Sequence, residues 1–292
     1  MNKLKTIERI LSPTETHWVG DGFRVHNFFP GGYRFDEQRM SPFYLLDYNA
    51  KIEFPPSDKP RGVGVHPHRG FETVTIAFKG KVAHHDSTGN SGVIGEGDIQ
   101  WMTAGSGILH KEYHEREFTR AGGEFHMLQL WVNLPAKHKM TAPKYQAIEN
   151  HQIAKLPLAG DKGTVEIIAG EYHGVKGTAT TFSPIQMYNC RVKKGATLDF
   201  TLPENFNTGI LILEGSVKIN GAEIAPVDNF CLFNNDGTEI KVEALEDAMF
   251  IVLSGEPLNE PIAAYGPFVM NTFEEIHQAK RDFGSGKFGY LE

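Results

Sequence analysis

Two short stretches, His66-Pro67-His68 and His110-Lys111-Glu112, each set two metal-ligating side chains two positions apart. Successive residues of a β-strand point to opposite faces, so residues i and i+2 share one. Read as strands, the first stretch projects two imidazoles together and the second an imidazole with a carboxylate. Three imidazoles and one carboxylate aimed into one space make a mononuclear metal site. Imidazole suits borderline first-row metals, and a site mixing histidines with one carboxylate and open positions points to non-haem Fe(II).

The rest of the chain is patterned to supply strands. Residues 72–78, ETVTIAF, alternate well, with Val74, Ile76 and Phe78 on one parity and Thr73, Thr75 and Ala77 on the other. Further β-rich runs are 126–134, 197–202, 209–219 and 248–255, separated at short intervals by Gly, Asn, Asp and Pro clusters. Many short strands between turn signals predict an all-β sandwich or barrel. Helical patterning is scarce. The clearest case begins at Asn271 or Thr272, either able to cap, with Glu274 and Glu275 in the first turn. That helix is expected on the outside of the fold, near the C-terminus.

A boundary falls in residues 136–180, which mix Pro, Lys, Gln and Asn without clear periodicity. The expected organisation is a metal-binding lobe over 1–135, a connecting segment with strands over 136–180, and a second lobe over 181–292. Each lobe has a hydrophobic strand running into Gly, AFKGKV at 77–82 and ILEGSVKI at 212–219. These read as matching corners of two structurally related lobes. The C-terminal half holds His151, His173 and His277 with no His-x-His, so the second lobe is expected to bind no metal.

The net charge of −7 is modest, and no Lys/Arg-rich run supports direct binding to nucleic acid. No apolar run approaches the length that spans a bilayer, and the first residues lack the apolar stretch of a secretory signal. The two cysteines, Cys190 and Cys231, have no framework spacing and read as core filler. A cytoplasmic, reducing location fits these features.

His66, His68, Glu72, Val74, Ile76 and Phe78 share one parity. Without a bulge, the face bearing the two histidines would continue as the apolar inner face of the barrel. Pro67 lacks an N–H, which puts this strand near an edge. Glu72 is the rival carboxylate, as ligand in place of Glu112 or as a partner that orients one. Seven of the thirteen histidines lie between 66 and 126. Of the extra ones, His114 continues the parity of His110 and Glu112, while His84, His85 and His126 read as surface or supporting groups.

Residues 66–75 (HPHRGFETVT), 97–112 (GDIQWMTAGSGILHKE), 128–135 (LQLWVNLP) and 255–276 (GEPLNEPIAAYGPFVMNTFEEI) resemble the pirin family, a branch of the cupins with two barrel lobes. The resemblance covers nearly the whole chain. It implies a bicupin with a single metal ion, Fe(II) first and Mn, Ni, Cu or Co as alternatives, held by His66, His68, His110 and Glu112. Seven residues separate Glu72 from Gly80, and Thr103 stands where cupins usually carry a proline. Both features are those of the pirin branch, and they favour Glu112 over Glu72.

The resemblance further implies a quercetin 2,3-dioxygenase-type oxidoreductase acting on a flavonol-like small molecule and O₂. Glu112 would serve as ligand and, with Glu72 as the alternative, as general base, and the hydrophobic barrel wall would host the flat substrate. The alternative is an iron-dependent, redox-responsive regulatory protein that acts through protein partners, as a transcriptional co-regulator or a modulator of a metabolic enzyme. A monomer is expected, because the two lobes can satisfy each other.

Overall fold

A computed structural model describes residues 3–33 and 36–292. The strands assemble into two compact units, one of residues 14–38, 43–150 and 258–292, the other of residues 1–13, 39–42 and 151–257. The terminal segments are thus exchanged relative to a division of the chain at 135 and 181. Residues 258–292 belong with the histidine pairs, and residues 1–13 with the second unit. The exchanged segments are short, and nothing in their composition says which core they join.

The histidine-bearing unit has a seven-stranded antiparallel sheet. Its spatial order is Lys144–Ile148, Ile99–Thr103, Phe71–Lys79, Gly123–Asn133, Phe43–Phe54, Phe23–Phe29 and Thr16–Val19. A four-stranded sheet, ordered Gly62–His68, Ile108–His114, Val82–Asp86 and Ser91–Ile94, faces it. Phe23, Val25, Phe54, Ala77, Phe125 and Met127 from the larger sheet meet Val82 and Ile94 from the smaller in one apolar cluster. Strands with one face on such a core alternate inward and outward side chains, which is how this sequence specifies them.

The second unit repeats the plan, seven strands facing four. Its core is an apolar cluster, with Val165, Ile167, Ile210 and Phe250 of one sheet against Leu198, Phe200, Val217 and Ile240 of the other. Cys190 and Cys231 are free, buried members of this core, and burial pushes the Cys231 thiol up to about 12. The predicted corners correspond. In each unit the chain turns at Gly80 or Gly215 from the seven-stranded sheet into the four-stranded one.

The C-terminal helix spans Phe273–Gly284 and opens with a capping box between Thr272 and Glu275, which settles on Thr272 of the two caps the sequence offers. Ile276 and Ala279 of its inner face pack with Ala263, Phe268, Met270 and Phe288 against Leu109, the residue before His110. Among the described residues no helix is long and apolar enough to cross a membrane.

Candidate metal centre

Gly62–His68 is the edge strand of the four-stranded sheet, where the missing N–H of Pro67 leaves no broken ladder. Among the described residues its sheet neighbour is Ile108–His114, with His110 directly opposite His66 and Ile108 opposite His68. The register then shifts, so that Glu112 pairs with Val63. This bulge bends the strand and re-aims its side chains. It also sets the Gly64 carbonyl 2.8 Å from His66 Nδ1. That ring N–H donates to the carbonyl, which leaves Nε2 of His66 as the bare nitrogen.

The three imidazoles converge. Ring centroids lie 4.2 Å apart for His66 and His110, 4.7 Å for His68 and His110, and 4.8 Å for His66 and His68. One nitrogen from each ring falls within 4.8 Å of the others, a span that an ion at about 2.1 Å from each nitrogen closes with small ring rotations. His68 and His110 are buried. Burial holds both well below the usual imidazole range, and it lowers His66 as well. The rings are therefore neutral, the form that ligates.

Both ring nitrogens of His110, and Nδ1 of His68, are buried without a hydrogen-bond partner. A buried polar atom left unpaired costs roughly 1–3 kcal/mol, so three of them on two touching rings call for a partner that the chain does not supply. A borderline divalent cation bound by imidazole fits that requirement. The residues present suit the metal that the sequence implies.

The carboxylates separate cleanly. Glu112 is buried, and with His66 and His68 it lines a cavity of about 370 Å³. Its carboxylate stands outside the cluster of three nitrogens. The Thr75 hydroxyl lies 2.8 Å from Gln129 Oε1 and 3.4 Å from Glu112 Oε1, so its proton goes chiefly to the amide. Burial raises Glu112 to about 7 against the weak pull of Thr75. Glu72 does not line the cavity. It accepts a 2.7 Å hydrogen bond from Thr103 Oγ1, and burial raises it too, to about 7.

The parity argument fails at this point. The inner face of Phe71–Lys79 carries Thr75 and Ala77, not Glu72, Val74, Ile76 and Phe78, since Thr75 contacts Glu112 and Ala77 joins the barrel core. The cause is Gly70. There the chain leaves the four-stranded sheet for the seven-stranded one at φ +90°, a conformation open to glycine, and the count of faces restarts. A Cβ at Gly70 would sit 2.0 Å from the Val269 carbonyl oxygen. The buried ammonium of Lys139 fastens the same turn, donating to Gly70 O, Val269 O and Asn133 Oδ1 at 2.9, 2.7 and 2.6 Å.

The remaining histidines of this unit lie outside the cluster. His114 sits among Phe23, Phe54, Phe118 and Phe125, its Nε2 2.8 Å from Gly22 O. His84 stacks on Tyr145, His85 on Tyr113, and His126 pairs with the Tyr48 hydroxyl.

Val19, Phe23, Val25, Val63, Met127 and Trp131 give the cavity its apolar walls, and Asp47 and Gln129 add polar groups. Sequence reasoning passed over both. The available signal was a lone polar residue inside an otherwise apolar strand: Asp47 in FYLLDYNA and Gln129 in HMLQLWVN.

Two units of seven strands facing four, one with a histidine cluster opening on an apolar cavity, define a bicupin with a candidate metal centre. The family model for pirin matches residues 22–132, and that for the pirin C-terminal cupin domain matches residues 187–289. The chain belongs to the pirin family. It is 46% identical over 285 residues to a Pseudomonas aeruginosa protein named "Putative quercetin 2,3-dioxygenase", covering 98% of this chain and 99% of that one. Mouse pirin is 38% identical over 258 residues, 87% of this chain and 84% of its own. The crystal structure of quercetin 2,3-dioxygenase from Acinetobacter baumannii superposes with a TM-score of 0.94 at 48% identity, covering 99% and 100% of the two chains. The fold extends to an Escherichia coli pirin solved in complex with nickel(II), with a TM-score of 0.65 at 20% identity, covering 85% and 100%.

Proposed function

We propose that the protein is a metal-dependent dioxygenase of the quercetin 2,3-dioxygenase type, acting on a flavonol with O₂. The observation that carries this reading is the set of three neutral, partly unpartnered imidazoles at the edge of an apolar cavity. The two relatives named for that activity, at 46% and 48% identity over nearly the whole chain, support it.

In this reading His66, His68 and His110 hold one divalent ion, Fe(II) by ligand type, with Glu112 completing the set from the same cavity. When bound, the ion supplies Lewis-acid activation of the flavonol hydroxyl and the redox partner for O₂. The chain does the rest. Phe23, Met127 and Trp131 offer flat and flexible apolar surface to a planar aromatic ligand and exclude water from it. Glu112, desolvated and only weakly hydrogen-bonded, takes the proton from the flavonol hydroxyl. The Gly64 carbonyl fixes the His66 tautomer, so that ring presents one defined nitrogen. Two free, buried cysteines fit a reducing, cytoplasmic setting.

The test is anaerobic loading with Fe(II), then addition of quercetin and air-saturated buffer while O₂ is followed at an electrode. Quercetin-dependent O₂ uptake that is catalytic in protein supports the reading. Stoichiometric metal with no uptake contradicts it.

A further inference from the structure

One row of polar side chains crosses the seven-stranded sheet, and two of its members, Asp47 and Gln129, line the cavity. Asn27, Asp47, Gln129, Thr75 and Gln100 lie directly opposite one another on five consecutive strands of the seven-stranded sheet. Residues in register share a face, and Thr75 and Gln129 are fixed on the cavity side by their contacts. The rest of the floor is apolar. Polar groups on an apolar floor are desolvated once a ligand covers them, so members that open on the cavity without a partner are where a ligand has to supply one.

Gln100 has both side-chain polar atoms buried without a partner, away from the cavity; on the cavity itself the row is open at one place. Asn27 is held by Gly31 N and Gly32 N on its oxygen, and its amide donates to Asp47 Oδ1 at 2.7 Å. Gln129 Oε1 is taken by the Thr75 hydroxyl at 2.8 Å. Asp47 Oδ2 and Gln129 Nε2 belong to half-buried side chains that open on the cavity, an acceptor beside a donor on neighbouring strands. Asp47 lies two strand spacings, roughly 10 Å, from Thr75, and Thr75 touches Glu112. Gln129 stands one spacing closer, on the Thr75 hydroxyl itself, so a flat, fused aromatic ligand anchored at the histidine cluster passes over Gln129 before it reaches Asp47.

We propose that Asp47 and Gln129 form the specificity pair of this site, recognising a phenolic hydroxyl other than the one that meets the metal centre. A phenol donates its proton to Asp47 Oδ2 and accepts from Gln129 Nε2, which satisfies both atoms at once. A ligand that lacks such a hydroxyl leaves them covered and unpaired, a discrimination that polar sites make strongly. The inference rests on the flavonol reading above and adds to it the residues that choose among flavonols.

The experiment compares quercetin with 3-hydroxyflavone, which shares the metal-binding hydroxyl and keto group but lacks the other hydroxyls. Binding to metal-loaded protein is measured by equilibrium dialysis without O₂. Two substitutions remove the pair. In Asp47→Asn the side-chain oxygen stays with Asn27 and the cavity meets a donor in place of an acceptor. Gln129→Leu keeps the volume and deletes the donor. The expected result is a preference for quercetin of tenfold or more in the wild type, lost in both variants, with 3-hydroxyflavone bound within twofold of wild type. That unchanged affinity also shows that the variants are folded. A preference that survives both substitutions overturns the specificity pair while leaving the flavonol reading intact. Binding of neither compound to the wild type overturns the flavonol reading and the pair together.

Discussion

His66 and His110 face each other across two neighbouring strands, paired in register with ring centroids 4.2 Å apart. His110 brings two buried, unpartnered nitrogens to that contact. The chain has placed costly groups where only an added ligand repays them, and this arrangement gives the site its testable consequences.

Replacing His110 by Leu removes the unpaired nitrogens from a buried position. The metal-free variant is expected to unfold at a temperature equal to or above that of the metal-free wild type, since the swap relieves a desolvation cost of roughly 1–3 kcal/mol. Added metal should raise the wild-type midpoint and leave the variant unmoved, by the linkage between binding and stability. Thermal unfolding with and without metal checks both.

The two buried glutamates should behave differently. Glu112→Gln is expected to lower flavonol turnover about 10²-fold or more, the usual scale for loss of a general base, with metal content reduced less than turnover. Glu72 faces Thr103 and not the cavity, so Glu72→Gln should leave turnover within about twofold, as expected for a group out of reach of the substrate. Steady-state rates for the two variants, each normalised to bound metal, decide between them.

How much of this was legible in the sequence follows from how local each signal is. The pairs His66/His68 and His110/Glu112 could be read because strand geometry alone sets i and i+2 on one face. The edge position of Pro67 and a helix start at Asn271 or Thr272 were legible from signals equally local. The face of Glu72 was not, because the reversal at Gly70 depends on the Val269 backbone approaching from 199 residues away. The partnership of Asp47 with Gln129 was equally hidden, since it exists only through the register of strands 82 residues apart. Local periodicity carries no information on such contacts.

Gly70→Ala tests that reversal. A methyl group would meet the Val269 carbonyl oxygen at 2.0 Å in a backbone conformation of φ +90°. Both faults act on one turn, so a loss of roughly 3 kcal/mol or more is expected, together with weakened metal binding, because His68 precedes the turn by two residues. Urea unfolding and metal titration measure the two effects.

Asp282 accepts from Arg69 Nη1 at 2.9 Å, Lys287 Nζ at 2.7 Å and Gln278 Nε2 at 2.8 Å. Hydrogen bonds from Lys287 and Arg69 hold its carboxyl well below the usual carboxylate range. The unfolded chain therefore takes up this proton first as pH falls. The stability from Asp282 is present above its unfolded pKa, about 4, and is lost as pH drops through the acid range. Asp282→Asn should be less stable than wild type at neutral pH, and the gap in melting temperature should narrow steadily on acidification. A gap independent of pH would assign the effect to packing of the helix alone.

The most direct test of the central claim is elemental analysis of the purified protein and of its His110→Ala variant after identical loading with Fe(II) and removal of loosely bound metal. Close to one metal ion per chain in the wild type and less than about a tenth of that in the variant is the predicted result, because the third imidazole closes the site. Equal, stoichiometric metal in both proteins would contradict the assignment of this histidine cluster as the metal centre.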